Sequence, residues 1–396
     1  MDKLVLPGPR RGVVAAPPSK SDAHRALICA ALSRAPAVLR LGALNGDIRA
    51  TLRCLEALGV KITRGADTLT VAPQTARPSS PVLDCGESGS TLRFLLPAAT
   101  LLCDRPRFVG EGRLPERPIG PLLEAMARNG CVSDSPRLPL TLTGALRAGV
   151  YPLPGNISSQ YVSGLLMALA AVPGESELRL SSPLESAAYA DMTIRTLSRF
   201  GVAVRQTAGA YQLSTVSCQL SSPGVYGVEG DWSGAAFFIA LDALGGEVRV
   251  TGLDGQSAQP DRAIAALARA LPEALDVSAF PDLFPVLSIL ACGKTGVTVL
   301  GGASRLRLKE SDRVAAAANL IAALGGRCEQ GPDSLTVYGT GRLKGGEAES
   351  ENDHRVAMVA AVAAAICEKP VLVRGAEAVD KSYPAFWDDL ERLEIL

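Results

Sequence analysis

The feature that most constrains this chain is that it repeats. Four segments run from a helical pattern through a glycine into a strand: ALGVKI at Gly59, RNGCV at Gly130, RFGVAV at Gly201 and ALGGRC at Gly325. The first three glycines are 71 residues apart, and the chain ends 71 residues after the fourth, on another helical pattern, LERLEIL. A shortened copy, AALARALPEALDV, falls around Leu271, which makes six units. The segments KITRGADTLTV, VSDSPRLPLTLTG, VRQTAGAYQLS and RCEQGPDSLTVYG alternate around a polar turn and predict hairpins. Each unit carries a second helical pattern, as at residues 21–34, 159–171 and 353–367. Runs such as RVAMVAAVAAAIC are apolar nearly all round. They belong in the centre of a domain, with the hairpin sheets outside.

At 396 residues the chain exceeds one hydrophobic core and fits two domains of three units each. Glycine and proline interrupt the pattern at SSPGVYGVEGD (221–231) and at APPSK (16–20). The expected division is therefore 17–227 for one α/β domain and 1–16 plus 228–396 for the other. Two crossovers make a hinge, and the cleft between the domains is the expected place of function. The charge balance, 40 basic residues against 40 acidic, provides no global field for a polyanion. With 4% aromatic residues there is no stacking platform either, so nucleic acid is not an expected partner. The nine cysteines form no CxxC pair and there are two histidines, so no metal-site spacing is present. Most of the cysteines lie in apolar runs and read as buried thiols of a reducing compartment. MDKLVLPGPRRG lacks an apolar signal region, and the longest apolar run, 356–367, is too short to cross a bilayer. The expectation is a cytoplasmic protein without a membrane partner.

The chemistry concentrates at helix starts. DCGESGSTLRFLLP, residues 84–97, places Gly86 and Gly89 among small polar residues ahead of Arg93 and an apolar run. Free backbone N–H groups at such a turn favour an anion, whereas the helix dipole disfavours a cation there by about 0.3–1 kcal/mol. The conflict recurs. PPSKSDAHR sets Lys20 and Arg25 around Ser21, and LRLKESDRV sets Lys309 and Arg313 around Ser311. NDHRV puts Arg355 in a first turn, PERPIG puts Arg117 before a proline-led helix, and GNISSQYVSG offers Ser158 and Ser159. Together these starts describe a site for several phosphate or carboxylate groups on small molecules. Asp282 in FPDLFP and Glu310 beside Lys309 are the acid–base candidates, with Lys20 as a proton donor. His24 and His354 read rather as capping or packing residues. Walker A, GxGxxG, GxSxG, HExxH and kinase signatures are absent.

Set in series, PPSKSDAHRAL, CGESGSTLRFLLP, EGRLPERPI, GNISSQYVSGLLMA, YADMTIRTLSRFG, VEGDWSGAAFF, FPDLFP, LRLKESDR, NDHRVAM and DKSYPAFWDDL resemble the blocks of the 5-enolpyruvylshikimate-3-phosphate synthase family of enolpyruvyl transferases, in that family's order. The resemblance implies a two-domain inside-out α/β barrel of six βαβαββ-type repeats, three per domain. It implies transfer of the enolpyruvyl group of phosphoenolpyruvate to the 5-hydroxyl of shikimate 3-phosphate, with release of phosphate and no metal or organic cofactor. By the same resemblance Lys20, Ser21, Arg25, Ser158, Ser159, Gln160, Ser186, Tyr189, Asp282 and Lys309 would hold shikimate 3-phosphate. Lys20, Gly89, Arg93, Arg117, Gln160, Arg313, Arg355 and Lys381 would hold phosphoenolpyruvate. Asp282 would serve as base, and Glu310 or Lys20 as acid. A monomer is expected.

Three positions depart from the family pattern. Glu87 stands where asparagine is common, Arg305 stands four residues before Lys309 where asparagine is again common, and Gly46-Asp47 replaces an acidic pair. The rival readings are the sister transferase acting on UDP-N-acetylglucosamine, a silent anion-binding module on the same fold, and RNA 3′-phosphate cyclisation on a related repeat. EGRLPERPIG lacks the cysteine of the first, and Asp282, Glu310 and Lys20 argue against the second. The composition lacks the basic surface of the third.

Overall fold

The structure, a computed structural model, describes residues 1–215 and 220–396. Its repeat glycines share one local task. Gly59, Gly130, Gly201 and Gly325 have φ of +83°, +94°, +80° and +79°. Their N–H groups return to the carbonyls of Glu56, Ala127, Ser198 and Ala322. The following N–H groups of Val60, Val202 and Gly326 reach back to Leu55, Leu197 and Ile321, which completes the left-handed helix stop. A residue with a Cβ would cost about 1–2 kcal/mol in that conformation. Gly245, with φ +100°, ends a further helix in the same region, and Gly246 bonds back to Leu241. Sequence reading overlooked this copy because it falls off the 71-residue spacing.

The backbone packs as two units. Lys20–Val228 forms one, and Met1–Ser19 with Glu229–Leu396 forms the other. The first contains helices α1 (Lys20–Leu32), α2 (Gly46–Ala57), α3 (Gly89–Leu102), α4 (Gly120–Ala127), α5 (Ser159–Leu169) and α6 (Ala188–Arg199). The second contains α7 (Trp232–Ala243), α8 (Ile264–Leu267), α9 (Phe284–Cys292), α10 (Arg313–Ala323), α11 (His354–Ala363) and α12 (Phe386–Glu391).

Six sheets are present among the described residues, and four of them share one plan. In the first, Val225–Gly227 runs parallel to Ala37–Arg40, which pairs antiparallel with Thr68–Ala72, the second arm of a hairpin with Lys61–Arg64. The sheets built on Arg107–Val109, Glu175–Leu180 and Thr295–Gly301 repeat this order. All four hairpins read from the sequence are present. The remaining two sheets have three strands each, and the N-terminal segments complete them. Asp2–Val5 pairs with Val371–Arg374, and Arg10–Ala15 lies between Glu247–Thr251 and Glu394–Ile395.

Helices that are apolar all round sit inside, as their pattern requires. α11 is buried at every position and so is α9. In the first unit α3 and α5 lie so close that a Cβ on Gly164 would stand 2.5 Å from the Arg93 carbonyl. The described cysteines are unpaired, and all but the half-buried Cys328 are buried; Cys218 lies outside the described residues. No helix among the described residues is long and apolar enough to cross a membrane.

The last strand of the first unit is tied to its first helix. The Tyr226 hydroxyl donates to Asp22 Oδ1 at 2.6 Å, and both residues are buried. Tyr226→Phe removes a donor from a buried carboxylate, so unfolding in denaturant is expected to show a loss of about 1–3 kcal/mol.

Candidate active site

In the unit Lys20–Val228 the cations converge through the starts of α1, α3 and α5. Ser88 caps α3 by accepting from the Thr91 N–H, and Gly89 follows as its first residue. A Cβ on Gly89 would lie 2.7 Å from Arg117 Nη1 and 2.8 Å from Arg93 Nη1, so the missing side chain leaves room for two guanidinium groups over a helix N-terminus. Arg93 donates to Gln160 Oε1 at 2.8 Å and to the Pro118 carbonyl at 3.2 Å, both neutral acceptors. Gln160, one residue inside α5, is oriented in turn by donating from Nε2 to Ser90 Oγ at 2.9 Å. Ser158 is the cap of α5 and accepts from the Gln160 N–H; Ser159 is its first residue.

Lys20 opens α1 and pairs with Asp47 Oδ2 at 2.9 Å. Arg25, one turn on, is 2% exposed and donates to Thr193 Oγ1, Ser163 Oγ and the carbonyls of Ser21 and Tyr189. Burial lowers its pKa to about 10, and Asp22 offsets part of that, so it stays cationic at neutral pH. Tyr189 and Ser186 are neighbours here, since the Tyr189 N–H donates to the Ser186 carbonyl. Ser186 holds φ +55°, a strained value for a residue with a side chain. Glu87 lies across the next loop: a Cβ on Gly112 would meet its carboxylate at 2.7 Å.

In the other unit the centre is Asp282, set in a proline-led turn ahead of α9. Its Oδ1 accepts from Arg313 Nη1 and its Oδ2 from Arg355 Nη2, each at 2.8 Å, and Lys309 Nζ stands 3.8 Å from Oδ1. Burial pushes this carboxyl up, but Arg355, Lys309 and Arg313 outweigh it and hold it well below the usual carboxylate range. Arg313 also donates to Glu310 Oε2 at 2.7 Å and to Asp353 Oδ2 at 2.9 Å. Asp353 is fully buried and caps α11 through the Arg355 N–H, so one carboxylate aligns two arginines. Lys381 donates to the Asn352 carbonyl at 2.6 Å, just before that helix. Arg305 donates to the Ser278 carbonyl at 3.1 Å.

Each unit thus gathers its own share of the residues singled out from the sequence. Lys20, Ser21, Arg25, Gly89, Arg93, Arg117, Ser158, Ser159, Gln160, Ser186 and Tyr189 lie in one unit; Asp282, Lys309, Glu310, Arg313, Arg355 and Lys381 lie in the other. The sequence reading missed Asp353 as a site residue, although NDHR shows an aspartate cap beside an arginine. It also missed Thr193 and Ser163, which carry no sequence signal, and Asp261. Asp261 is 1% exposed and accepts from the Ser233 hydroxyl, while its Oδ1 has no partner among the described residues. Burial, with the Asp282 charge adding to it, raises its pKa to about 8.

These features define a class: a mixed α/β chain of two units whose helix starts carry guanidinium, ammonium and carboxylate groups. The EPSP synthase (3-phosphoshikimate 1-carboxyvinyltransferase) family model matches residues 6–271 and 266–390, and the chain belongs to that family. It is 37% identical over 418 residues to the 3-phosphoshikimate 1-carboxyvinyltransferase of Clostridium kluyveri, across 98% of this chain and 96% of the relative. The enzyme of that name from Clostridium acetobutylicum is 38% identical over 408 residues, 97% of this chain and 95% of the relative. A solved EPSP synthase from Acinetobacter baumannii superposes with a TM-score of 0.82 at 25% identity, covering 100% of this chain and 99% of that one.

Because the folded state keeps a proton on Asp261 up to about pH 8 and the unfolded chain releases it near the ordinary carboxylate value, this group lowers stability as pH rises between those limits. The slope for one proton is at most about 1.4 kcal/mol per pH unit. Denaturant unfolding at pH 5 and pH 8 is expected to show a smaller decline for Asp261→Asn than for the unaltered protein.

Proposed function

We propose that this chain transfers the enolpyruvyl group of phosphoenolpyruvate to the 5-hydroxyl of shikimate 3-phosphate and releases phosphate, as a 3-phosphoshikimate 1-carboxyvinyltransferase of aromatic amino acid biosynthesis. The observation that carries this reading is the match to one enzyme family along nearly the whole chain. The Asp282 carboxylate, held between Arg313 and Arg355 with Glu310 on the same arginine, is the chemistry such a transfer needs.

Lys20, Ser21, Arg25, Ser158, Ser159, Gln160, Ser186, Tyr189, Asp282 and Lys309 hold shikimate 3-phosphate. Lys20, Gly89, Arg93, Arg117, Gln160, Arg313, Arg355 and Lys381 hold phosphoenolpyruvate. Asp282 takes the proton of the 5-hydroxyl as its oxygen bonds to the central carbon of phosphoenolpyruvate. Glu310, or Lys20, gives a proton to the methylene carbon, and a tetrahedral adduct forms. Loss of a proton from the new methyl group then expels phosphate and restores the double bond. Before substrate arrives Asp282 is a weak base, because its cations stabilise the charged form. An anionic substrate that takes over Arg313 and Arg355 removes those partners and raises its proton affinity. The arginines thereby do positioning and electrostatic work, which is most of what joining two mutually repelling anions demands. The two units are read as three βαβαββ-type repeats each, closed as inside-out α/β barrels with boundaries near 17–227, and the protein as a cytoplasmic monomer.

The test is phosphate release from phosphoenolpyruvate, which is expected with shikimate 3-phosphate and not with UDP-N-acetylglucosamine. Release with the nucleotide sugar alone sinks the assignment. In the same assay Glu310→Gln is expected to lower kcat by about 100-fold or more, in the range of a lost general acid, with KM little changed. Normal turnover leaves Lys20 as the acid.

A further inference from the structure

A buried line of hydrogen bonds runs beneath the helix starts of the unit Lys20–Val228, and the reaction scheme does not use it. His24 of α1, Thr51 of α2, and Thr91 and Ser88 at the start of α3 are each at most 2% exposed. His24 Nδ1 lies 2.8 Å from Thr51 Oγ1, and Thr51 Oγ1 lies 2.7 Å from Thr91 Oγ1. The Thr91 hydroxyl is 2.8 Å from Ser88 Oγ and 3.3 Å from the carbonyl of Asp47, whose carboxylate holds Lys20. His24 Nε2 has no hydrogen-bond partner among the described residues, and the ring stands edge-on to Phe94 with centroids 6.2 Å apart.

The proton count sets the direction of this line. A hydroxyl has one proton, and a carbonyl only accepts. If Thr91 donates to Ser88 or to the Asp47 carbonyl, it has nothing left for Thr51, so Thr51 must donate to Thr91. Thr51 has then spent its proton, so the 2.8 Å contact with His24 Nδ1 requires that nitrogen to donate. The imidazolium form is disfavoured, because burial, with Lys20 and Arg25 nearby, holds the ring pKa well below its ordinary value. The opposite tautomer would bury an N–H at Nε2 with no acceptor and would turn every hydroxyl away from the α3 start.

We infer that His24 is a positioning residue: as the Nδ1–H tautomer it fixes the hydroxyl line Thr51–Thr91–Ser88, which sets the first turn of α3, with Gly89 and Arg93, against Asp47 and Lys20. The inference rests on the reading that Lys20, Gly89 and Arg93 hold phosphoenolpyruvate. His24 touches no substrate in this scheme and acts through the threonines.

Two measurements test it. Nitrogen NMR of the whole protein labelled at histidine has two rings to resolve, and His354→Asn assigns them. The expected spectrum shows His24 protonated at Nδ1 and bare at Nε2, unchanged from pH 6 to pH 9. Protonation at Nε2, or a titration within that range, overturns the inference without requiring any altered enzyme to fold. In the second measurement, Thr51→Val keeps the shape and cuts the line. It is expected to raise KM for phosphoenolpyruvate about tenfold and KM for shikimate 3-phosphate less than twofold. His24→Leu should do the same, while His24→Asn, whose amide can donate from near the Nδ1 position, restores the value to within about threefold. If both KM values rise together in step with a lower Tm, or neither changes, the residue is structural only. Absence of turnover in the unaltered enzyme would instead refute the function itself, and the NMR result would still decide the tautomer.

Discussion

A guanidinium group taken out of water must be paired, and Arg313, 2% exposed, is paired three times. Asp282, Glu310 and Asp353 each take one of its nitrogens, so the position of this cation fixes where the candidate base and one candidate acid stand. Removing one partner from such a cluster typically costs about 3–5 kcal/mol, because the remaining charge stays buried. The same Asp353 caps the helix that carries Arg355, which closes the arrangement around Asp282. In the other unit Arg25 is buried with neutral oxygens as its hydrogen-bond partners, and burial has lowered its pKa. One cluster is largely self-neutralised, and the other keeps cationic character at a helix N-terminus.

Cations at helix starts are unfavourable locally, and the structure relieves the conflict in different ways. At α10 and α11 a carboxylate from elsewhere in the chain does so, as Asp353 does for Arg313. At α1 Lys20 leans onto Asp47. At α3 Arg93 and Arg117 crowd the single position without a Cβ, Gly89. That is where an arriving anion has most to gain from the dipole, the backbone N–H groups and two guanidinium groups at once.

Much of this was legible in the sequence where the cause is local. A glycine at φ near +80° that ends a helix leaves the same mark each time, so Gly59, Gly130, Gly201 and Gly325 revealed the repeat, and the hairpins followed from alternation. The misplaced cations were visible for the same reason, since the rule they break involves only neighbouring residues. Their partners were not. Asp282 is 31 residues from Arg313 and Asp353 is 40, and no short-range rule joins them. Asp261 sits in a single 3-10 turn, Pro260–Ala263, too short to show a periodicity, and its raised pKa comes from burial that only packing creates. Glu87 shows both sides: sequence marks it as an acid at an anion turn, and only the structure lays it over Gly112.

The N-terminal strands have a consequence for synthesis. Residues 2–5 and 10–15 complete sheets whose other strands include residues 371–374 and 394–395. Residues 2–5 and 10–15 therefore wait for strand partners at 371–374 and 394–395, while among the described residues the segment 20–228 holds its own strand partners and can fold as it emerges. The unit carrying Asp282 and Arg313 closes late, through contacts of very high sequence separation that make folding slow. Catalytic competence in such a chain waits on strand pairs whose members lie hundreds of residues apart in sequence.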